Sequence, residues 1–420
     1  VAAGTPVDVP TAERRPSALG NWDSAVTSYY LIVGATALLV AIGLVMVLSS
    51  SSVDALSRDE SPYAVFVNQA RFALIGIPLA WTASRVPPAT YKRLAWPLLG
   101  AAVLLQLLVF VPGLGKTVNG NRNWLVLGGQ SIQPSEMVKL ALAVWLGAVL
   151  ARKRHLLHRW LHVLIPGVVV AGAAVGAVLI GHDLGTAMIM LMLVAGALFV
   201  AGVPLRMFAV AGVAATLLVV QLAQQKSSRL DRIEAFFSDD CDVLGACYQT
   251  ARGMFALGSG GLTGIGLGES REKWSYLPEA HNDFIFAILG EELGLLGTVL
   301  VLLLFGVLAV AMTRVVRRHT DPFVQIATAG IGAWILGQAF TNIAVVIGLL
   351  PVIGVPLPLV SAGGSALITT MTALGVVLSF ARSEPGAAEA LAARPGVVRR
   401  SLAVVGVPAR PAHRTRRPRD

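Results

Sequence analysis

The chain has 420 residues, of which 55% are hydrophobic and 13% charged, and a formal net charge of +10. A mean hydropathy of +0.72 excludes a water-soluble globule and places the chain among polytopic membrane proteins, whose apolar runs of roughly 20 residues cross a bilayer. The positive charge is what membrane topology and a basic tail produce, so no nucleic-acid partner is expected from it.

Residues 1–28 are polar, contain Pro and lack apolar periodicity, which predicts a mobile cytoplasmic tail. The first apolar run is long enough to stay as a span, so no cleaved leader is expected. Ten spans are predicted, at 31–48, 66–84, 94–111, 134–150, 161–180, 184–202, 207–223, 283–312, 322–349 and 365–381. Two of them exceed what a bilayer needs, which predicts tilt, a kink or an interfacial extension. The basic clusters 152–155 and 314–319 fall on one side together with the Arg-rich tail, and the positive-inside rule makes that side cytoplasmic. The expected fold is therefore an all-α polytopic membrane protein of about ten spans with both termini in the cytoplasm. Its membrane domain runs over 29–382, residues 224–282 form a large outer loop, and 383–420 form a basic tail able to touch membrane lipid.

Polar residues stand out against this apolar background. In NGNRNWLVLGGQSIQPSEMVKLAL, residues 119–142, Arg122 and Trp124 precede a helix that opens at Pro134, with Glu136 in its first turn and Lys139 on the same face. Arg122 with Trp124 suits either an interfacial anchor or a grip on a phosphate and a sugar face. Lys139 falls inside the membrane, where an ammonium must face a cavity or a carboxylate. In GHDLGTA, Asp183 sits in a short turn and reads first as a helix cap. Cys241 and Cys247 lie in the outer loop, where spacing leaves a disulfide and two free thiols both open. In EAHNDFIFAILGEELG, residues 279–294, Asp283 stands at a helix start, where a carboxylate is also a natural cap, while Glu291 and Glu292 lie deeper and need buried partners. PLPLVSAGGSALI, with Ser361 and Ser365, reads as a broken segment lining a cavity.

The NG…W loop, QPSE…K, DLGT, LPEAHNDFIFAILGEELG and PLPLVSAGGS occur in one order across residues 30–380, and in this the chain resembles the SEDS (shape, elongation, division and sporulation) family of cell-wall polymerases. The wording of the Asp283 block, the long outer loop and the basic tail are nearer the division type than the elongation type. The resemblance implies polymerisation of lipid II, an undecaprenyl-pyrophosphate-linked disaccharide pentapeptide, at the outer face of the cytoplasmic membrane, at the division septum. It also implies a class B penicillin-binding protein as transpeptidase partner, with other division proteins. Asp283 matches the family's essential aspartate and is the expected general base. Arg122 and Lys139 are the expected cations for the departing pyrophosphate, Glu136 orients Lys139, and Trp124 and His281 border substrate. Asp183, Glu291, Glu292 and Ser361 are expected to be structural or to line the cavity. No cofactor is required by the motifs. A divalent cation (Mg or Mn) is compatible with the family, although no His/Asp/Glu cluster demands one.

The chain departs from the family pattern at Asn123, where relatives commonly have Arg, at Ala362, where an aromatic is common, and at His182, where Pro is common. Two rival readings share the same features: a transporter that flips lipid II, which would also use broken helices and intramembrane charges, and a scaffold that activates a partner synthase.

Overall fold

The computed structural model describes residue 24 and residues 26–57, 59–118, 120–223, 247–274 and 276–387, with isolated positions at 236–237, 242, 244–245 and 391. Most of both predicted tails, and Cys241 in the predicted outer loop, lie outside the described residues. Helices α1 (Thr27–Ser57), α2 (Ala64–Arg85) and α3 (Pro88–Leu107) come first. Strands β1 (Gly115–Val118), β2 (Asn121–Leu127) and β3 (Gln130–Ile132) follow as an antiparallel sheet in that spatial order. Then come α4 (Pro134–Lys153), α5 (Trp160–Ile180), α6 (Leu184–Ala201), α7 (Leu205–Ala223) and the short α8 (Tyr248–Ser259). The chain continues through α9 (Ile285–Arg318), α10 (Pro322–Val346) and α11 (Gly364–Arg382).

Among the described residues, nine of these helices are long and apolar enough to cross a membrane by length and composition, and α7 is a further apolar helix over Leu205–Leu218. Ten predicted spans thus correspond to ten helices. The sheet and α8 are what sequence reading missed, because both lie in stretches whose Gly content and polarity read as loop.

Helix α4 is the axis of the bundle, with 83% of its span buried, against 17% for the peripheral α2. In lipid, apolar side chains gain little by leaving their solvent, so helices associate where small residues allow close packing. Gly147 of α4 does this against α10, where an added Cβ would come within 2.9 Å of Ala327 Cβ. Gly330 of α10 lies between Ala143 of α4 and Ala197 of α6.

Helix α9 is broken at Gly294. Gly294 has φ 65 and ψ −163, a region open essentially to glycine alone. The backbone groups freed by the break are satisfied by the segment after α8. Leu295 N and Leu296 N donate to Gly261 O and Leu262 O at 2.9 and 3.2 Å, while Ile265 N and Gly266 N donate to Glu291 O and Glu292 O at 3.0 and 3.1 Å. Broken helices are tolerated at membrane depth only where protein re-satisfies the backbone. The excess length predicted for this span therefore resolves into a two-turn half-helix, residues 285–293, joined to a long one.

Candidate active site

Asp283 stands just before α9 and is 8% exposed. Its backbone is pinned by three successive carbonyl contacts. Ala362 N donates to His281 O at 3.0 Å, Ser361 Oγ donates to Asn282 O at 2.6 Å, and Asn342 Nδ2 of α10 donates to Asp283 O at 2.6 Å. Asn342 also donates to Val355 O at 2.8 Å, and Ser361 Oγ accepts from Leu357 N at 2.7 Å, so the same two side chains fix the PLPLVSAGGS segment. The Asp283 carboxyl faces Gly354, where an added Cβ would come within 3.8 Å of Oδ2. His281 and Asn282 line a cleft of about 520 Å³, and Asp283 follows them directly in the chain without itself joining the lining.

The other walls of that cleft come from α2 with Asn68 and Gln69, and from the sheet with Trp124, Gln130 and Ser131. Gln69 joins the two sides by donating to Ser361 O at 3.0 Å and accepting from Gly363 N at 3.1 Å. Amide groups around an aromatic face suit a sugar and peptide head group, which offers hydroxyls and amides to bond and C–H faces to stack.

The start of α4 is a sealed buttress. Lys139 is 1% exposed, with Nζ 2.8 Å from Glu136 Oε1, 3.0 Å from Gln338 Oε1 and 4.7 Å from the centroid of the Trp334 ring. Trp334 Nε1 and Lys139 share the Gln338 oxygen, and Gln338 Nε2 donates to Pro356 O at 2.9 Å. The expected Glu136–Lys139 pairing is thus present, yet it supports the PLPLVSAGGS segment from behind instead of opening on the cleft. Asp183 caps α6 as expected, accepting from Thr186 N at 2.9 Å and Thr186 Oγ1 at 2.8 Å. It also accepts from Gln133 Nε2 at 3.0 Å, which links the start of α6 to that of α4. Arg122 is turned away from the cleft, its Nε donating to Val109 O at 3.1 Å and its Nη2 lying 3.5 Å from Val111 O, just after α3. The structure therefore brings Trp124 and His281 to the cleft, leaves Asp283 one residue outside its lining, and does not bring Arg122 or Lys139 there.

Glu291 and Glu292 find their partners in the segment that fills the α9 break. Glu291 accepts from Ser270 Oγ and, at 3.0 Å, from Arg271 N. Glu292 pairs with Lys273 at 3.3 Å, and its two oxygens lie 2.6 and 2.7 Å from Ser49 Oγ of α1. Ser49, Gln69, Lys273, Gln338 and Asn342 escaped sequence reading. A polar residue amid apolar ones, as Gln338 and Asn342 are in α10, was the available signal.

Cys247 is disulfide-bonded, and Cys241 lies outside the described residues. Among the described residues no three His, Cys, Asp or Glu side chains gather as metal ligands. The Asp183 carboxyl is engaged by Thr186 and Gln133, and Glu136 Oε1 by Lys139.

A multi-pass helical membrane protein with a buried carboxyl on a pinned backbone, next in sequence to two residues of an amide-lined cleft, has the parts expected of a membrane enzyme that acts on a polar head group. A family model described as "Cell cycle protein", covering FtsW, RodA and SpoVE, matches residues 29–385, and the chain belongs to this FtsW/RodA/SpoVE, or SEDS, family. It is 40% identical over 385 residues to the probable peptidoglycan glycosyltransferase FtsW of Mycobacterium tuberculosis, covering 91% of this chain and 74% of the relative. It is 37% identical over 352 residues to stage V sporulation protein E of Bacillus subtilis, covering 84% and 96% of the two chains. Among solved structures, the rod shape determining protein RodA of Thermus thermophilus superposes with a TM-score of 0.63 at 29% identity, over 84% of this chain and 96% of that one. A chain from a peptidoglycan synthase complex that coordinates polymerization and crosslinking gives 0.69 at 28% identity, over 84% and 98%.

Proposed function

We infer that this chain is a peptidoglycan glycosyltransferase that polymerises lipid II at the outer face of the cytoplasmic membrane, in septal wall synthesis. The observation that carries the reading is the fixing of three consecutive carbonyls, those of His281, Asn282 and Asp283, by Ala362, Ser361 and Asn342. Such pinning fixes the backbone that carries the Asp283 carboxyl, directly after two residues of a cleft suited to a sugar, and a fixed position is what general-base catalysis of glycosyl transfer needs.

In the step proposed, the 4-hydroxyl of the acceptor sugar attacks the anomeric carbon of the lipid-linked donor. Asp283 takes the hydroxyl proton, the new C–O bond forms, and the bond to the lipid pyrophosphate breaks with its electron pair leaving on phosphate oxygen. A single displacement converts an α-linked donor into a β-linked glycan. Trp124 and the cleft amides orient the sugar, and the Glu136–Lys139–Gln338 group holds the PLPLVSAGGS wall. Relatives named as FtsW and the match to a synthase complex support a class B penicillin-binding protein as partner and the septum as the place of action.

Purified protein supplied with lipid II in detergent, with and without that transpeptidase, tests the reading. Detergent abolishes sidedness, so glycan chains indicate chemistry. Lipid II moved across vesicles with no glycan made in detergent would instead favour a transporter, and glycan made only by the partner would favour a scaffold.

A further inference from the structure

The reaction expels a pyrophosphate, whose developing charge needs a cation or an equivalent donor set close by. Neither cation expected from the sequence fills that part in this structure. Lys139 is enclosed by Glu136, Gln338 and Trp334, and Arg122 is committed to the carbonyls of Val109 and Val111. Among the residues that line the cleft there is no Lys or Arg, and Glu60 carries the single formal charge. As it stands, that lining would repel a pyrophosphate.

The register of the sheet supplies the missing charge. Lys116 pairs with Trp124 and Thr117 with Arg122, so one step along β1 answers two steps along β2, and the extra residue is Asn123. A bulge of this kind reverses the alternation of side chains on the longer strand. Directly opposed residues share a face, which puts Lys116 with Trp124 and Arg122 on the other side. Two independent observations agree. Val126 pairs with Ser131, and both Trp124 and Ser131 line the cleft, so that face borders the cleft along the sheet, with Gly129 and Gln130 joining it at the hairpin end. On the opposite face Leu125 is 1% exposed, and a Cβ added to its partner Gly115 would come within 3.1 Å of Arg122 Nε. Lys116 itself is exposed, and among the described residues its ammonium has no ion-pair partner.

We propose that Lys116 is the cationic contact for the lipid-linked pyrophosphate, standing beside Trp124 so that the ring borders the sugar while the ammonium meets the phosphates. The bulge at Asn123 is what assigns the role to Lys116 and withdraws Arg122 to brace α3. Lysine fits the part as a mobile point charge on a long stem that follows the phosphate as it departs. The inference rests on the glycosyl-transfer reading but is tested by binding alone.

The experiment measures binding of undecaprenyl pyrophosphate to the purified full-length protein in detergent, with inorganic pyrophosphate as competitor. Lys116→Gln is expected to weaken binding about tenfold or more, the loss expected for a charge-assisted contact. Lys116→Arg should restore most of it, and Arg93→Gln, at the start of α3 and far from the sheet, should leave it unchanged. Inorganic pyrophosphate should compete with the lipid on the wild type and lose that ability on Lys116→Gln, which assigns recognition to the phosphates and not the polyprenyl chain. Unchanged binding in Lys116→Gln overturns the proposal. So does an equal loss in Lys116→Arg accompanied by lowered thermal stability, which would make Lys116 a structural residue. Wild-type protein that binds undecaprenyl pyrophosphate through Lys116 yet makes no glycan would instead sink the glycosyl-transfer reading.

Discussion

Removing either partner of the Lys273–Glu292 pair should destabilise the protein strongly, and removing both should not. The side chains are 4% and 0% exposed, with Lys273 Nζ 3.3 Å from Glu292 Oε1. Lys273→Met leaves the Glu292 carboxylate with the Ser49 hydroxyl alone, and Glu292→Leu leaves an ammonium facing Ser49 and the Gly268 carbonyl. Breaking a buried pair from one side costs about 3–5 kcal/mol, because the remaining charge is uncompensated. With an unfolding entropy of about 2 cal/mol/K per residue, a chain of this length should then lose about 3–6 °C in Tm. Lys273→Met/Glu292→Leu removes both charges, and replacing a buried pair with apolar groups is often neutral or better, so its Tm should return to within about 2 °C of the wild type. Thermal unfolding of the purified proteins in detergent completes the double-mutant cycle. Single variants that each shift Tm by less than about 1 °C, or a double variant as impaired as the sum of the singles, would refute the reasoning.

Two further outcomes follow from other parts of the fold. Gly294→Ala should sharply reduce Tm and folded yield, since an added Cβ would collide with the backbone of Leu262 and Gly264 at a φ of 65; an unchanged melting curve would contradict the break in α9. His319, between α9 and α10, accepts from Asp321 N at Nδ1 (3.0 Å) and has Nε2 3.2 Å from Ser383 Oγ, with its carbonyl accepting from Gln325. Burial lowers its pKa below the ordinary value, with Asp321 acting in the opposite sense. A base with a depressed folded pKa contributes stability that is complete above its unfolded pKa of about 6.5 and is lost as pH falls towards the folded value. The Tm difference between wild type and His319→Gln should therefore shrink as pH is lowered from 7.5 to 5; a difference independent of pH would contradict the neutral, doubly bonded ring.

Much of this molecule could be read from composition and local pattern. The spans follow from apolar runs, the Asp183 cap from a carboxylate three residues before the amide it binds, and the Glu136–Lys139 pair from helical spacing. What the sequence hid is long-range or depends on strand register. Ser49 and Glu292 meet across 243 residues, and Asn342 reaches Asp283 across 59, separations at which no local period operates. Glu291 and Glu292 need buried partners by their depth, and the structure supplies them from the loop that mends α9, with Ser49 of α1 added for Glu292. Arg122 and Trp124 read from sequence as an interfacial anchor or as a grip on a phosphate and a sugar face, and the sequence did not show that one bulged residue, Asn123, puts their side chains on opposite faces. Lys139 was expected to face a carboxylate or a cavity, and it took the carboxylate.

The central claim is that Asp283 is the base of a glycosyl transfer, and Asp283→Asn in lipid II polymerisation tests it most directly. Asn keeps the size and the backbone contacts with Asn342 and leaves the carbonyls of Asn282 and His281 bound as before, but it cannot accept the hydroxyl proton. The account predicts that the purified variant keeps its Tm and its transpeptidase while polymerisation falls by about 100-fold or more. Glu291→Gln, by contrast, should lose Tm through its contacts with Ser270 and Arg271. A well-folded Asp283→Asn protein that makes glycan at a near-normal rate would contradict the account, because a residue serving only as a helix-start cap is replaceable by Asn.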